Sequence, residues 1–201
     1  MTVPIQLVAG LGNPGPEYAE TRHNAGFRWV ERIAASCGAS WRAEAKFHGR
    51  VARAREGGQE VWLIEPGTYM NLSGRAVAAL ARFYRIAPQS ILVAHDELDL
   101  VPGVVKLKRG GGVAGHNGLK DIAAALGTPD FWRLRIGIGH PGQGADVANY
   151  VLKPPRREEA AAIEDALARS LDLWPLIAAG NLEAAMLKLH TRPRPEAGNG
   201  E

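Results

Sequence analysis

The chain has 201 residues, 46% hydrophobic and 22% charged, which excludes a disordered or fibrous protein and fits one domain or little more. A single cysteine excludes a disulfide framework and a cysteine-built zinc cage, and it suits a reducing compartment. Lys and Arg number 24 against 21 Asp and Glu, so the net charge of +3 permits a nucleic-acid partner without demanding one.

The N-terminal segment has neither a basic n-region nor a long apolar core, and no stretch has the length of a membrane span. The expectation is a cytoplasmic protein. Ile5–Ala9 is an apolar run stopped by Gly10 and reads as a buried strand. Phe27, Val30, Ile33, Ala34 and Cys37 recur at helical spacing before Gly38, with Cys37 on the apolar face and so in the core. Val51–Arg55 and Glu60–Glu65 flank Gly57 and Gly58 as a hairpin. Ser73–Tyr84 is helical, with Ser73 as its cap, and Ser90–Ala94 is a central strand. Val104–Lys108 alternates apolar and basic residues as a half-exposed strand. Asn117–Leu126 is a short helix, Trp132–Gly139 an alternating strand, and Glu158–Trp174 a helix. A last helix follows Asn181, a favourable cap. The alternation predicts one three-layer α/β domain over residues 1–190, with a twisted, mixed, mostly parallel sheet between helices. The polar residues 191–201 read as a flexible tail.

Polar clusters follow three of the strands: Gly10–Asn24, His95–Asp99 and Arg109–Asn117. In open α/β sheets ligands sit beyond the carboxyl ends of the strands, so these clusters are expected on one rim. The first contains Gly10-Leu-Gly-Asn-Pro-Gly15, a formal G-x-G-x-x-G. Pro14 and Pro16 remove N–H groups that a dinucleotide pyrophosphate would need, and the second strand with its acid is missing at the required distance. The loop reads instead as a rigid turn holding Asn13.

His23 lies at or just before a helix start, where the dipole favours a neutral ring able to act as a base. Asp96 ends an apolar strand and is placed to orient such a base and stabilise its cation. No Ser or Cys nucleophile stands out, so the base is expected to activate water. Asn13, Asn71 and Asn117 offer uncharged donors and acceptors for a carbonyl, a water or an oxyanion, or serve only as caps and turns. Residues 104–140 hold six Lys or Arg against two Asp or Glu. That patch beside a glycine run suits phosphate or forms a solubilising edge strand.

Six segments together resemble the bacterial peptidyl-tRNA hydrolase family: Gly10–Tyr18, Thr21–Phe27, Pro66–Gly74, His95–Leu100, Gly115–Asp121 and Arg133–Gly142. The resemblance implies hydrolysis of the ester between a peptide and the terminal ribose of tRNA, by a monomer with no metal or cofactor. It implies His23 as general base and Asp96 as its partner. Asn13 and Asn71 would hold the peptide backbone and the tetrahedral intermediate, and Asn117 a water or carbonyl. Tyr18, Met70 and His116 would line the cleft, and Lys108 with Arg135 would clamp the tRNA 5′ phosphate. Glu65 and the segment Gly112-Val-Ala-Gly115 depart from the family pattern, with lid mobility and tRNA affinity the properties in question. Two rivals remain open: a metal-dependent phosphodiesterase using His95, Asp96, Glu97 and Asp99, and a non-catalytic RNA-binding module.

Overall fold

The computed structural model describes residues 2–113 and 115–191, so most of the expected tail lies outside the described residues. Seven strands form one sheet: β1 (Leu7–Gly10), β2 (Arg42–Glu44), β3 (Gly49–Glu56), β4 (Gln59–Pro66), β5 (Ile91–Glu97), β6 (Val105–Arg109) and β7 (Trp132–Gly137), in the order β2-β3-β4-β1-β5-β7-β6. The four strands β4, β1, β5 and β7 are mutually parallel. The outer strands β3 and β6 run antiparallel to their inner neighbours, and β2 runs antiparallel to β3. Continuous apolar runs in β1 and β5 follow from this placement, because a central parallel strand is covered on both faces.

The covering helices are α1 (Ala25–Ser36), α2 (Ser73–Phe83), α3 (Asn117–Leu126), α4 (Val147–Val151), α5 (Arg157–Leu171), α6 (Trp174–Ala178) and α7 (Leu182–His190). Trp29, Val30 and Ile33 of α1 and Ile163 and Leu167 of α5 pack with Val8, Leu92, Ala94, Leu134 and Ile136 in one core. On the other face Val77 and Leu80 of α2 and Leu119 and Ile122 of α3 pack on Leu7, Ala9, Ile64 and Val93. Odd and even positions of β1 thus serve different cores, as the two-residue period of a strand requires. Among the described residues no helix is long and apolar enough to cross a membrane.

Several local expectations change. The helix expected over 158–174 is two: α5 ends at Leu171, and Pro175, which has no N–H to donate, sits in the first turn of α6. Ser73 does not cap α2; it is buried in the first turn and its hydroxyl donates to the Met70 carbonyl at 2.7 Å. Asn181 occupies the cap position of α7, but its side chain makes no capping bond. Cys37 is half-buried against the core rather than inside it. The short β2 and α4 have too few residues to show a period, and neither was expected.

The chief topological difference is β6. Because it is antiparallel to β7, its carboxyl end at Arg109 pairs with Trp132, at the start of β7, far from the rim where Asp96 stands near the end of β5. The chain after Arg109 must run back across the sheet to reach that rim. Gly110 and Gly111 take φ of +63° and +93° in this reversal, a backbone region open to glycine. The buried Arg133 guanidinium then holds the carbonyls of Gly111 and Gly112 at 2.9 and 2.6 Å.

A second constraint sits under α1. A Cβ on Gly26 would lie 2.2 Å from the Ala94 carbonyl oxygen and 2.5 Å from the Leu11 nitrogen. Replacement by alanine must push α1 off both central strands, and overpacking of this kind costs about 1–3 kcal/mol. Chemical denaturation of Gly26→Ala is expected to show that loss, with the midpoint lowered and the slope unchanged.

Candidate active site

A cleft of about 750 Å3 opens where β1, β5 and β7 end and where the returning glycine segment crosses. Its lining includes Asn13, Tyr18, His23, Met70, Asn71, Asp96, Lys108, His116, Asn117 and Arg135, so every expected site residue reaches one cavity.

His23 stands in a single 3-10 turn, Arg22–Asn24, immediately before α1. Its neighbour Arg22 is buried and pins the turn, donating to the Tyr150 carbonyl and to Glu159 at 3.0 Å each. The His23 Nδ1–H reaches the two Asp96 carboxylate oxygens at 3.0 and 2.9 Å. His116 approaches the same carboxylate with Nε2 at 2.9 Å, while its Nδ1 accepts the Leu119 N–H at 3.3 Å. That acceptor role leaves the His116 proton on Nε2, facing Asp96. One buried carboxylate therefore receives an N–H from each imidazole, and the His23 Nε2 lone pair is left for the cleft.

The electrostatics follow from this geometry. Burial opposes the charge on Asp96, but the two imidazoles and their hydrogen bonds outweigh it and hold the carboxyl well below the usual range. Burial lowers His23, yet the charge and hydrogen bond of Asp96 leave it above its ordinary value. The adjacent carboxylate thus overrides the helix-start dipole that favours a neutral ring. His95 points elsewhere: it is buried, bonds to the Asp96 backbone carbonyl at 2.8 Å, and is pushed down to about 3 chiefly by burial.

Asn13 is not a simple turn residue. Its backbone exchanges two hydrogen bonds with the Asn24 amide, at 2.8 and 3.0 Å, and its Oδ1 accepts the Met70 N–H at 2.8 Å. With the oxygen engaged, Nδ2 is the atom left to donate into the cleft. Asn71 lies in the 3-10 turn Met70–Leu72, and Asn117 opens α3 with His116 as its cap. Lys108 pairs with Arg133 and Lys106 with Arg135 across β6 and β7, so all four side chains lie on one face. Arg135 is braced by Glu97 at 3.1 Å.

The acidic run that the rival metal reading would use does not converge. Glu97 turns to Arg135 and accepts the Asp99 N–H, and His95 is buried away from both. Among the described residues the one converging set of metal-type donors is His23, Asp96 and His116. A cation bound there at His116 Nε2 would move the ring proton to Nδ1, against the Leu119 N–H.

Sequence reasoning missed Tyr69, His140 and the apolar wall of Leu98, Val147, Ala148, Val151 and Leu152. Apart from Leu98, which follows β5, the wall comes from α4 and the Leu152 that ends it, and the signal of α4 is Asp146, a cap that accepts the Asn149 N–H at 3.1 Å. It also gave Arg133 only a place in the basic patch, where the structure shows a brace for the glycine segment.

A family model described as peptidyl-tRNA hydrolase matches residues 7–197. The chain belongs to the peptidyl-tRNA hydrolase family. It is 63% identical to the peptidyl-tRNA hydrolase of Nitrosospira multiformis, covering 94% of this chain and 98% of that one. It is 62% identical to that of Aromatoleum aromaticum, over 94% and 95% of the two chains. A crystal structure of peptidyl-tRNA hydrolase from Acinetobacter baumannii superposes with a TM-score of 0.90 at 47% identity, covering 93% of this chain and 95% of that one. Of the departures from the family pattern, Glu65 is buried, paired with Arg50 at 3.1 Å, and pushed up to about 8 by burial and the nearby Glu31 charge. Val113 lines the cleft and Ala114 lies outside the described residues.

Removing the Asp96 charge leaves burial to act alone on His23. In Asp96→Asn the His23 pKa is expected to fall from above its ordinary value to below it, as read by imidazole NMR titration. An unchanged value would show that Asp96 does not set the His23 pKa.

Proposed function

We propose that this protein hydrolyses the ester between a peptide and the 3′-terminal ribose of tRNA, recycling tRNA from peptidyl-tRNA released by stalled ribosomes. The observation that carries this reading is the His23–Asp96 pair, with the second imidazole nitrogen free in a cleft that also holds amide donors and cations. Family membership and the match over nearly the full chain support it.

In this mechanism His23 Nε2 takes a proton from water as the oxygen attacks the ester carbonyl. Asp96 keeps the imidazole in the Nδ1–H tautomer and stabilises the imidazolium that forms. The Asn13 Nδ2–H and the Asn71 amide donate to the oxyanion and the peptide backbone, which lends selectivity for peptidyl over free aminoacyl esters. The tetrahedral intermediate expels the ribose oxygen, which takes the proton back from His23. No covalent enzyme intermediate forms. Asn117 and His116 hold a water or carbonyl and the Asp96 carboxylate, respectively. Tyr18 and Met70 shape the cleft, and Lys108 with Arg135 meets the 5′ phosphate. The protein acts without metal or cofactor, as a cytoplasmic monomer.

The decisive test is release of an N-acetylaminoacyl group from tRNA, with and without EDTA, beside unblocked aminoacyl-tRNA. Cleavage of the blocked ester alone, unaffected by EDTA, is the expected result. His23→Ala is expected to lower turnover at least ~100-fold with tRNA affinity retained; wild-type turnover would remove His23 from the mechanism. The acid limb of kcat/KM should fall above the ordinary histidine pKa, because the base must be neutral and Asp96 raises it.

Lys108→Ala and Arg135→Ala should chiefly weaken tRNA binding. Each lost phosphate contact should make the slope of log K against log salt shallower by about 0.7–0.9. Slopes unchanged in both variants would dismiss the clamp.

A further inference from the structure

Across the sheet from the basic β6–β7 edge, β4, the 3-10 turn Ala45–Phe47 before β3 and the end of α2 carry an aromatic cluster that takes no part in the cleft. Trp62 of β4 stacks on Tyr84, with ring centroids 4.4 Å apart and planes at 22°. Tyr84 meets Phe83 at 4.9 Å, and Phe47 joins both, at 5.4 Å from Phe83 and 5.9 Å from Tyr84. A cation closes each end: the Arg53 guanidinium lies 4.9 Å from the Trp62 ring, and the Lys46 ammonium 4.6 Å from Phe83. The row therefore runs Arg53, Trp62, Tyr84, Phe83, Lys46, with Phe47 packed beside Phe83 and Tyr84.

Part of this row is a core edge, since Phe47 is buried. The outer part is not: Phe83 is 59% exposed and Tyr84 38% exposed, side by side on the surface. Exposing two neighbouring aromatic rings costs free energy that a purely structural cluster avoids by turning them inward. Among the described residues only His48 and Arg85 are non-glycine residues with positive φ, at 53° and 54°; they end the 3-10 turn Ala45–Phe47 and α2 in the left-handed region and so fix where Phe47 and Tyr84 stand.

We infer that this platform is a second RNA surface, which stacks unpaired bases on Phe83 and Tyr84 while Lys46 and Arg53 meet the flanking phosphates. The combination of exposed aromatic rings with flanking cations is what sequence-tolerant single-stranded binding requires. The choice of occupant rests on charge: Lys46 and Arg53 stand over the outer rings of the row and complement a polyanion with flat bases. Arg53 shares Glu60 with Arg55, whereas Lys46 has no carboxylate partner among the described residues and is the freer phosphate ligand. The inference is independent of the hydrolase reading, since the platform and the cleft have no residue in common.

The test uses the full chain and a fluorescein-labelled oligouridylate with a 3′ phosphate, followed by anisotropy at several salt concentrations. Wild-type protein is expected to bind it. The double variant Lys46→Glu/Phe83→Ala should weaken binding about tenfold or more, with a shallower salt slope. Phe83→Tyr should retain binding, because the ring face is kept. Thermal melting of each variant separates loss of binding from loss of fold. Cleavage of N-acetylaminoacyl-tRNA should be unchanged in both variants, which distinguishes failure of the platform from failure of the cleft chemistry. The inference is overturned if wild type does not bind the oligonucleotide, or if the folded double variant binds it equally. It is also overturned if Arg135→Glu, in the cleft, abolishes the binding. Concentration-dependent self-association lost in Phe83→Ala would likewise overturn it, by making the platform a contact between copies.

Discussion

The close seating of α1 on the backbone of β1 and β5 governs everything that happens in the cleft. Gly10 and Gly26 allow it, and the Leu11 N–H to the Ala94 carbonyl and the Phe27 N–H to the Leu11 carbonyl lock it at 3.0 and 3.2 Å. The turn that carries His23 is continuous with that helix, and Asp96 is two residues beyond Ala94 on the strand below. The distance between imidazole and carboxylate is thus a consequence of backbone packing, which deforms far less readily than a pair of long side chains. Arg22 anchors the other side of the same turn to α4 and α5, so the imidazole is gripped from both directions.

A buried carboxylate is costly unless it is hydrogen-bonded and its charge is balanced. Asp96 meets this demand with two imidazole N–H groups, and each has a different consequence. His116 is fixed by the start of α3, through the Leu119 N–H, and acts as a stationary donor. His23 keeps its second nitrogen open to the cleft, and the same carboxylate that stabilises the fold locally also raises its basicity. Structure and reactivity are set by one charge, which is why the acid-base behaviour of the cleft is inseparable from the packing of β5 beneath it.

Charge is distributed unevenly over the sheet. The β6–β7 edge presents Lys108 and Arg135 toward the cleft mouth, while Arg133, in the same row, is buried and spent on the carbonyls of the glycine segment. Sequence alternation alone makes Arg133 and Arg135 equivalent. Depth separates them: one holds backbone, the other remains available to a phosphate. The edge itself is half-covered by α7, where the His190 ring accepts the Leu107 N–H at 3.2 Å and so satisfies a donor that an edge strand would leave open.

Much was legible in the sequence where the signal is local. Apolar runs and helical spacing located the central strands and the principal helices, and α3 was bounded residue for residue as Asn117–Leu126. Asn13, His23 and Asp96 were legible too, because short polar segments at the ends of buried strands have a fixed position relative to the sheet; Tyr18, Met70, His116, Lys108 and Arg135 came as site residues only with the family resemblance. The rest depended on distant contacts. The direction of β6 carries no periodic signature, since a strand reads the same either way; only its pairing with β7 reverses it and forces the glycine segment back over the sheet. The sign of the His23 shift likewise came from a carboxylate 73 positions away, which a local dipole argument does not contain. Sequence determined which groups are present and the pitch of the elements that carry them. Tertiary structure decided their distances, their depth and hence their charges, because hydrogen bonding and desolvation act through space and not along the chain.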